Sequence, residues 1–171
     1  MESRTATMAI DARQQFQVLL ERHRGIVAKV AHTYAWNAAD RADLAQEIAV
    51  QLWRAFAKYD PARKFSTWMY RIALNVAISH VRSDRRRQLQ TVPLDETLHD
   101  VADHSVANPV ADQQVRALNR FIHAQSPLDR ALLLLYLEER SYRDIAEILG
   151  ISETNVATKT SRLKQRIRNE I

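Results

Sequence analysis

The residues of this chain with the clearest chemical purpose lie between Lys64 and Arg87, in KFSTWMYRIALNVAISHVRSDRRR. The segment reads as one long helix, apolar around most of its circumference. At roughly 100° per residue, Lys64, Trp68, Arg71, Asn75, Ser79, Arg82 and Arg86 fall within an arc of roughly 80°. A core helix does not need a narrow basic stripe with an indole in it. A helix that holds a nucleic-acid strand does: guanidinium groups meet phosphates, a flat ring stacks on bases, and an amide reads a base edge. The plainer reading makes Trp68 a core residue, as tryptophan usually is, and leaves the arginines as surface charge. Tyr59 and Phe65 before the stripe, and Arg85, Arg86 and Arg87 at its end, favour strand binding.

A second basic element lies near the C-terminus. SYRDIAEILGISETNVATKTSRLKQRIR has the layout of a helix-turn-helix: Ala146 is small where two helices would cross, and Gly150 sits in the turn. Ile145, Leu149, Ile151, Val156 and Leu163 are expected to form the shared core. The second helix carries Lys159, Arg162, Lys164, Arg166 and Arg168, with no acid between Thr154 and Asn169. Such a helix can enter the major groove with its N-terminal residues at base edges. The alternative is a plain helical hairpin with a solvated basic face, but the turn and the charge asymmetry coincide.

Other candidate chemistry is sparse. Asp43 and Glu47 share a helix face as an i, i+4 pair, yet no base or metal ligand lies nearby in sequence, so they read as an acidic surface or a protein-docking surface beside Leu52 and Trp53. With two glycines in the chain there is no phosphate-cradling loop. There is no cysteine, which excludes disulfides and thiolate metal sites. His99, Asp103 and His104 sit in an expected linker and make a poor metal site. No catalytic residue, metal or cofactor is expected.

These groups need helices to position them. Phe16, Leu19, Leu20, Val27, Val30, Ala31 and Tyr34 keep three-four spacing, predicting an amphipathic helix. After a break at residues 37–40, Leu44, Ile48, Ala49, Leu52, Trp53 and Phe56 predict a second, stopped by Asp60-Pro61. The stripe helix is the third. From Gln88 to Val115 there is no lysine or arginine but five acids, Asp95, Glu96, Asp100, Asp103 and Asp112, with Pro93 and Pro109. Ser126-Pro-Leu-Asp129 and Ser141-Tyr-Arg-Asp144 read as capping boxes, and Gly150 and Ser152 as the stop and start of the last two helices. The expected fold is all-α: two small helical domains, 1–89 and 111–171, joined by a flexible acidic linker at 90–110, the C-terminal one a helix-turn-helix. At about 60 residues the second unit is near the lower size limit for an independent domain.

Hydrophobic residues at 46% and charged residues at 26% describe a folded soluble chain, and a net charge of +5 favours an acidic partner. The N-terminus lacks a signal-peptide core, and the longest apolar run, residues 131–137, is too short to span a bilayer. A cytoplasmic protein with no membrane insertion is expected.

In this order the motifs resemble the extracytoplasmic-function group of bacterial RNA polymerase sigma factors, over nearly the whole chain after about Phe16. DLAQEIAVQLWRAFAKYD resembles the part of the second conserved region that docks on the polymerase clamp. KFSTWMYRIALNVAISHVR resembles the part that melts and reads the promoter −10 element. SYRDIAEILGISETNVATKTSRLKQRIR resembles the fourth region, which reads the −35 element. The resemblance implies a specificity subunit that binds core RNA polymerase (β′ clamp and β flap), directs it to promoters, and captures bases of the melted strand. It implies both duplex and melted promoter DNA as partners, an anti-sigma factor as a possible regulator, and nucleoid association when bound to polymerase.

By resemblance, Asp43, Leu44, Gln46, Glu47, Leu52 and Trp53 face polymerase. Tyr59, Lys64, Phe65, Trp68, Arg71, Asn75, Ser79 and Arg82 contact the −10 element, with Asn75 in the base pocket. Tyr142, Arg143, Ser152, Thr154, Thr158, Lys159, Ser161, Arg162 and Arg166 contact the −35 element. The chain departs from the family pattern at Glu139-Arg140, where Gly-Leu is common, and at Ala157, where many members are basic. The competing reading is a stand-alone regulator, which would bind duplex DNA without polymerase and has no use for the Lys64–Arg87 stripe. A helical hydrolase using Asp43 and Glu47 is a third.

Overall fold

Four of the helices start at a side chain that accepts a backbone N–H three residues further on, which fixes where the chain turns. Asn37 accepts from Asp40, Ser126 from Asp129, Ser141 from Asp144 and Ser152 from Asn155, at 2.8–3.2 Å. Each satisfies one of the orphan donors at a helix N-terminus. The computed structural model describes residues 2–90 and 109–171, and these form eight helices and no strand. They are α1 (Glu2–Arg22), α2 (Arg24–Tyr34), α3 (Ala38–Phe56), α4 (Phe65–Gln90), α5 (Pro109–His123), α6 (Pro127–Leu137), α7 (Tyr142–Leu149) and α8 (Glu153–Glu170). The all-helical reading therefore holds. The central part of the acidic segment, with His99, Asp103 and His104, lies outside the described residues; Asp112 lies in α5, paired with Arg116.

The single first helix predicted from Phe16 to Tyr34 is two. His23 leaves helical geometry at φ −112° and ψ 18°, and its Nδ1 lies 3.0 Å from the Leu19 carbonyl oxygen. The bend lays α1 beside α3, where the Phe16 ring meets Trp53 at 5.2 Å and Phe56 at 5.1 Å. Helices α2, α3 and α4 pack on one another around Val30, Leu44, Ile48, Leu52, Met69 and Leu74, all buried.

The C-terminal half has a small core of its own, formed by Phe121, Ile122, Leu132, Leu133 and Leu163. Ala131, Leu134, Leu135, Ile145, Ile148 and Val156 instead join the same buried cluster as the first half. A unit of this size buries too little of its own surface, and it completes its interior against α2 and α4. Polar contacts cross the joint as well. The Tyr34 hydroxyl donates to the Pro127 carbonyl at 2.6 Å, Lys29 pairs with Glu138, and Arg140 donates to the Ser66 hydroxyl at 3.2 Å. Burial raises the Tyr34 phenol far above its usual value, so it stays a donor.

The turn between α6 and α7 carries Glu139 at φ +56°, the left-handed region. This is the departure noted at Glu139-Arg140: the left-handed turn forms with a β-carbon-bearing residue in it. Such a conformation costs roughly 1 kcal/mol in a non-glycine residue. Glu139→Gly is expected to raise stability by about 0.5–1 kcal/mol, or about 2 °C in Tm, in thermal unfolding. An unchanged or lower Tm counts against strain at this turn.

His123 lies between the halves, buried and stacked on Trp36 at 3.9 Å, with Nδ1 unbonded. Burial, then the charges of Arg130, His32 and Arg41, push its imidazole down to about 4. An unfolded histidine titrates near 6.5. Between those values the unfolded chain binds more protons, so this stability is complete above pH 6.5 and is lost as pH falls toward 4. From pH 7.5 to pH 5 the loss is about 2 kcal/mol. His123→Phe keeps the stack and removes the titration, so urea unfolding of that variant is expected to be flatter over this interval. An equally steep loss in the variant assigns the acid sensitivity elsewhere.

Candidate nucleic-acid interface

Helix α4 divides its circumference between core and solvent. Phe65, Met69, Tyr70, Ala73, Leu74 and Ala77 are buried on one side. Lys64, which immediately precedes the helix, and Arg71, Asn75, Ser79 and Arg82 are exposed on the other. Arg71, Asn75, Ser79 and Arg82 make no side-chain hydrogen bond or ion pair with any described residue. Two guanidinium groups, a hydroxyl and an amide are thus left open along one line. Nearer the C-terminal end, Asp84 takes His80 at 3.2 Å and Arg87 at 3.9 Å.

The N-terminal end of the stripe is aromatic. Trp68 is half-buried, with ring centroids 5.0 Å from Tyr59, 5.1 Å from Phe65 and 6.3 Å from Phe56. The indole is therefore both packed and surface-lining, which joins the two readings of it. Ahead of it the loop is held by its own polar groups: the Tyr59 hydroxyl donates to the Arg63 carbonyl at 2.8 Å, and the Ala62 N–H donates to the Asp60 carboxylate at 2.9 Å. Phe65, expected among the DNA-contacting residues, is 7% exposed and sits under Tyr59 and Trp68. Its place is to support those rings.

In the helix-turn-helix, α7 ends at Gly150 with φ +67°, a conformation glycine adopts without penalty. Ile145, Ile148, Val156, Thr160 and Leu163 are buried beneath the pair, while Leu149 and Ile151 are half-buried. Ser152, Thr154, Thr158, Ser161 and Arg162 are exposed, and Tyr142 and Arg143 are exposed at the start of α7.

Two residues of the predicted set turn away from that face. Lys159 pairs with Asp129 at the start of α6, at 3.3 Å. Arg166 donates to the Gln125 side chain at 2.8 Å, pairs with Glu170 at 3.3 Å, and lies over the Phe121 ring. Both tie α8 to its own domain. Gln165, missed by the sequence reading, and Arg168, seen there only as a basic residue, line a polar depression with Tyr142, Ser161 and Lys164. The signal was available, since 161, 165 and 168 repeat at helical spacing.

A third surface runs along α3. Asp43, Gln46, Glu47 and Trp53 are exposed, Trp53 at 45%. Leu44 and Leu52, grouped with them from sequence, have no exposed surface and belong to the core. At roughly 100° per residue they point opposite to Gln46 and Val50. Val50 and Arg54 take their place on the exposed arc. Among the described residues no cluster of three or more His, Asp or Glu side chains could hold a metal ion, and no helix is long and apolar enough to cross a membrane.

Residues 19–87 match the family model Sigma-70 region 2, and residues 118–167 match Sigma-70, region 4. The chain is 29% identical over 168 residues to the ECF RNA polymerase sigma-E factor of Haemophilus influenzae, covering 93% of this chain and 88% of that protein. It is 27% identical over 167 residues to the probable RNA polymerase sigma factor RfaY of Xanthomonas campestris pv. campestris. That match covers 95% of this chain but spans only 42% of the relative. Among solved structures, the sigma factor RpoE, in its co-crystal with the anti-sigma factor NepR from Bartonella quintana, shares the fold. Its TM-score is 0.66 at 17% identity, covering 93% of this chain and 95% of that one.

Proposed function

As the chain belongs to the extracytoplasmic-function group of bacterial RNA polymerase sigma factors, we propose a residue-level division of labour for promoter recognition. Residues 1–89 dock on the β′ clamp of core polymerase and capture the melted −10 strand. Residues 111–171 bind the −35 duplex and the β flap. Asp43, Gln46, Glu47, Val50 and Trp53 form the clamp-facing surface. Lys64, Trp68, Arg71, Asn75, Ser79 and Arg82 form the strand-binding stripe. Tyr142, Arg143, Thr154, Thr158, Ser161, Arg162, Gln165 and Arg168 face the −35 groove.

The observation that carries this reading is the open stripe on α4: donors without partners among the described residues, beside an aromatic cluster, on a helix whose other side is core. Phosphate contacts from Arg71 and Arg82 set position, stacking at Trp68 holds a base, and Asn75 supplies hydrogen bonds to a base edge. Capturing bases that have left the stack offsets a melting cost of a few kcal/mol. In this scheme the chain acts in the cytoplasm, at the nucleoid when polymerase-bound, with bond formation left to the polymerase. An anti-sigma factor, as in the Bartonella complex, is the regulator we extend to it.

Asn75→Ala is expected to leave folding and core-polymerase affinity unchanged, because the amide has no partner among the described residues. Opening of a duplex promoter, followed by permanganate reactivity, should fall about tenfold, with a smaller loss on a pre-melted template. Wild-type opening on both templates would remove Asn75 from the pocket. The paired reversal Asp43→Lys and Glu47→Lys is expected to weaken core-polymerase binding, and Trp53→Ala to weaken it by about thirtyfold if the indole is a central anchor. Competition binding at moderate salt decides this, and unchanged affinity in both variants would move the docking face elsewhere.

A further inference from the structure

Three arginines of the chain directly follow an aspartate, in Asp40-Arg41, Asp84-Arg85 and Asp129-Arg130. Neighbours in a helix point about 100° apart, so the acid of each pair does not cancel its own arginine. The aspartates are engaged elsewhere. Asp40 accepts from the Asn37 amide at 2.8 Å, Asp84 takes His80 and Arg87, and Asp129 takes Lys159. The three arginines have no ion pair among the described residues.

They belong to α3, α4 and α6, and the fold gathers them at the end of α2. Three consecutive residues there organise the cluster. The Arg130 guanidinium lies 5.9 Å from the centre of the Tyr34 ring, the Ala35 carbonyl accepts from Arg41 Nε at 3.1 Å, and Trp36 stacks on His123 at 3.9 Å. Burial, opposed by the Tyr34 phenol and reinforced by the Arg85 charge, lowers the Arg130 guanidinium from its usual value, which puts Arg85 within its field. We propose that Arg41, Arg85 and Arg130 form a binding site for the phosphate groups of a small anionic ligand, beside the exposed indole of Trp36.

The arginines are arranged for such a ligand. Arg41 and Arg130 are half-buried, and each spends its Nε on a backbone carbonyl, Arg130 on that of Gln125 at 3.0 Å. Those bonds fix the two guanidinium groups, while their terminal nitrogens keep no hydrogen-bond partner among the described residues. A fixed fork of open donors matches an oxyanion and loses little freedom on binding it. Guanidinium groups stay charged when half-buried, so a cluster without a carboxylate carries repulsion that an anion relieves. Beside it, His123 is 8% exposed and its Nδ1 has no partner. Buried polar atoms are rarely left so, and the position calls for a group from outside the chain. The shape favours a small ligand over a strand. Three helices converge on one point here, whereas a strand needs cations spaced along a line, as on the α4 stripe. The site is independent of the strand-binding reading.

The test uses the full-length chain. Pyrophosphate is titrated in by calorimetry at low salt, with thermal unfolding in parallel. One equivalent is expected to bind, and a tenfold excess over the dissociation constant to raise Tm by about 3 °C, since the ligand bridges three helices. Arg41→Gln and Arg130→Gln are each expected to weaken binding about tenfold. Both also hold carbonyls, so Arg85→Gln serves as the variant that leaves the fold undisturbed: its side chain is exposed and makes no hydrogen bond or ion pair among the described residues. It is expected to weaken binding about threefold. ATP in place of pyrophosphate separates the sources of phosphate. Tighter binding assigns a nucleotide with its base at Trp36, equal binding assigns the phosphate groups alone, and either supports the site. No heat and no change in Tm overturns it. Equal weakening by Arg85→Gln and by Arg71→Ala on the stripe marks diffuse attraction to the net charge and also overturns it. Binding that appears only after Asp95, Glu96, Asp100 and Asp103 are replaced by Asn or Gln gives the cluster to that acidic segment and overturns the small-ligand site.

Discussion

Leu134, Leu135, Ile145 and Ile148 are buried in the same cluster as Val30, Tyr34, Met69 and Tyr70, and the rest of the architecture follows from that shared interior. The C-terminal unit has five buried residues in its separate core, few for a unit asked to hold four helices together. Its remaining apolar surface finds cover on α2 and α4. That decision fixes where the α6–α7 turn sits, brings Glu138 to Lys29 and Arg140 to Ser66, and sets α7 against the aromatic end of the stripe. The folding of the second half and the placing of α7 beside the stripe therefore have one physical origin.

Within the first half, the same helices serve as scaffold and as exposed surface. α3 and α4 each put one side into the core, and the opposite sides carry polar and aromatic groups with few partners among the described residues. The junction between them is made rigid by rings: Phe16, Phe56, Tyr59, Phe65 and Trp68 touch in series. Such contacts hold geometry through many weak interactions, so the place of the indole does not depend on a mobile loop.

Much of this was legible from residue types. The caps at Asn37, Ser126, Ser141 and Ser152, the stop at Gly150 and the stripe on α4 all follow from local rules. These rules work because each involves residues within one helical turn. They fail where the answer depends on distant segments. Lys159 reads as a groove contact until Asp129, thirty residues earlier, is found beside it. Leu44 and Leu52 read as neighbours of an acidic surface because they adjoin it in sequence, although helical rotation carries them to the other side. The break at His23 was hidden because apolar spacing on either side of it continues a single pattern.

The sequence alone determined the helical class, the helix-turn-helix, the basic stripe with its indole, and the motif order that identifies a sigma factor. All of these are properties of periodicity and local chemistry, written into neighbouring residues. The tertiary structure alone decided which charged groups are free and which are already engaged, and that the two halves share one interior. Those outcomes depend on pairings across tens to more than a hundred residues, such as Lys29 with Glu138, and no local pattern encodes the partner at the far end.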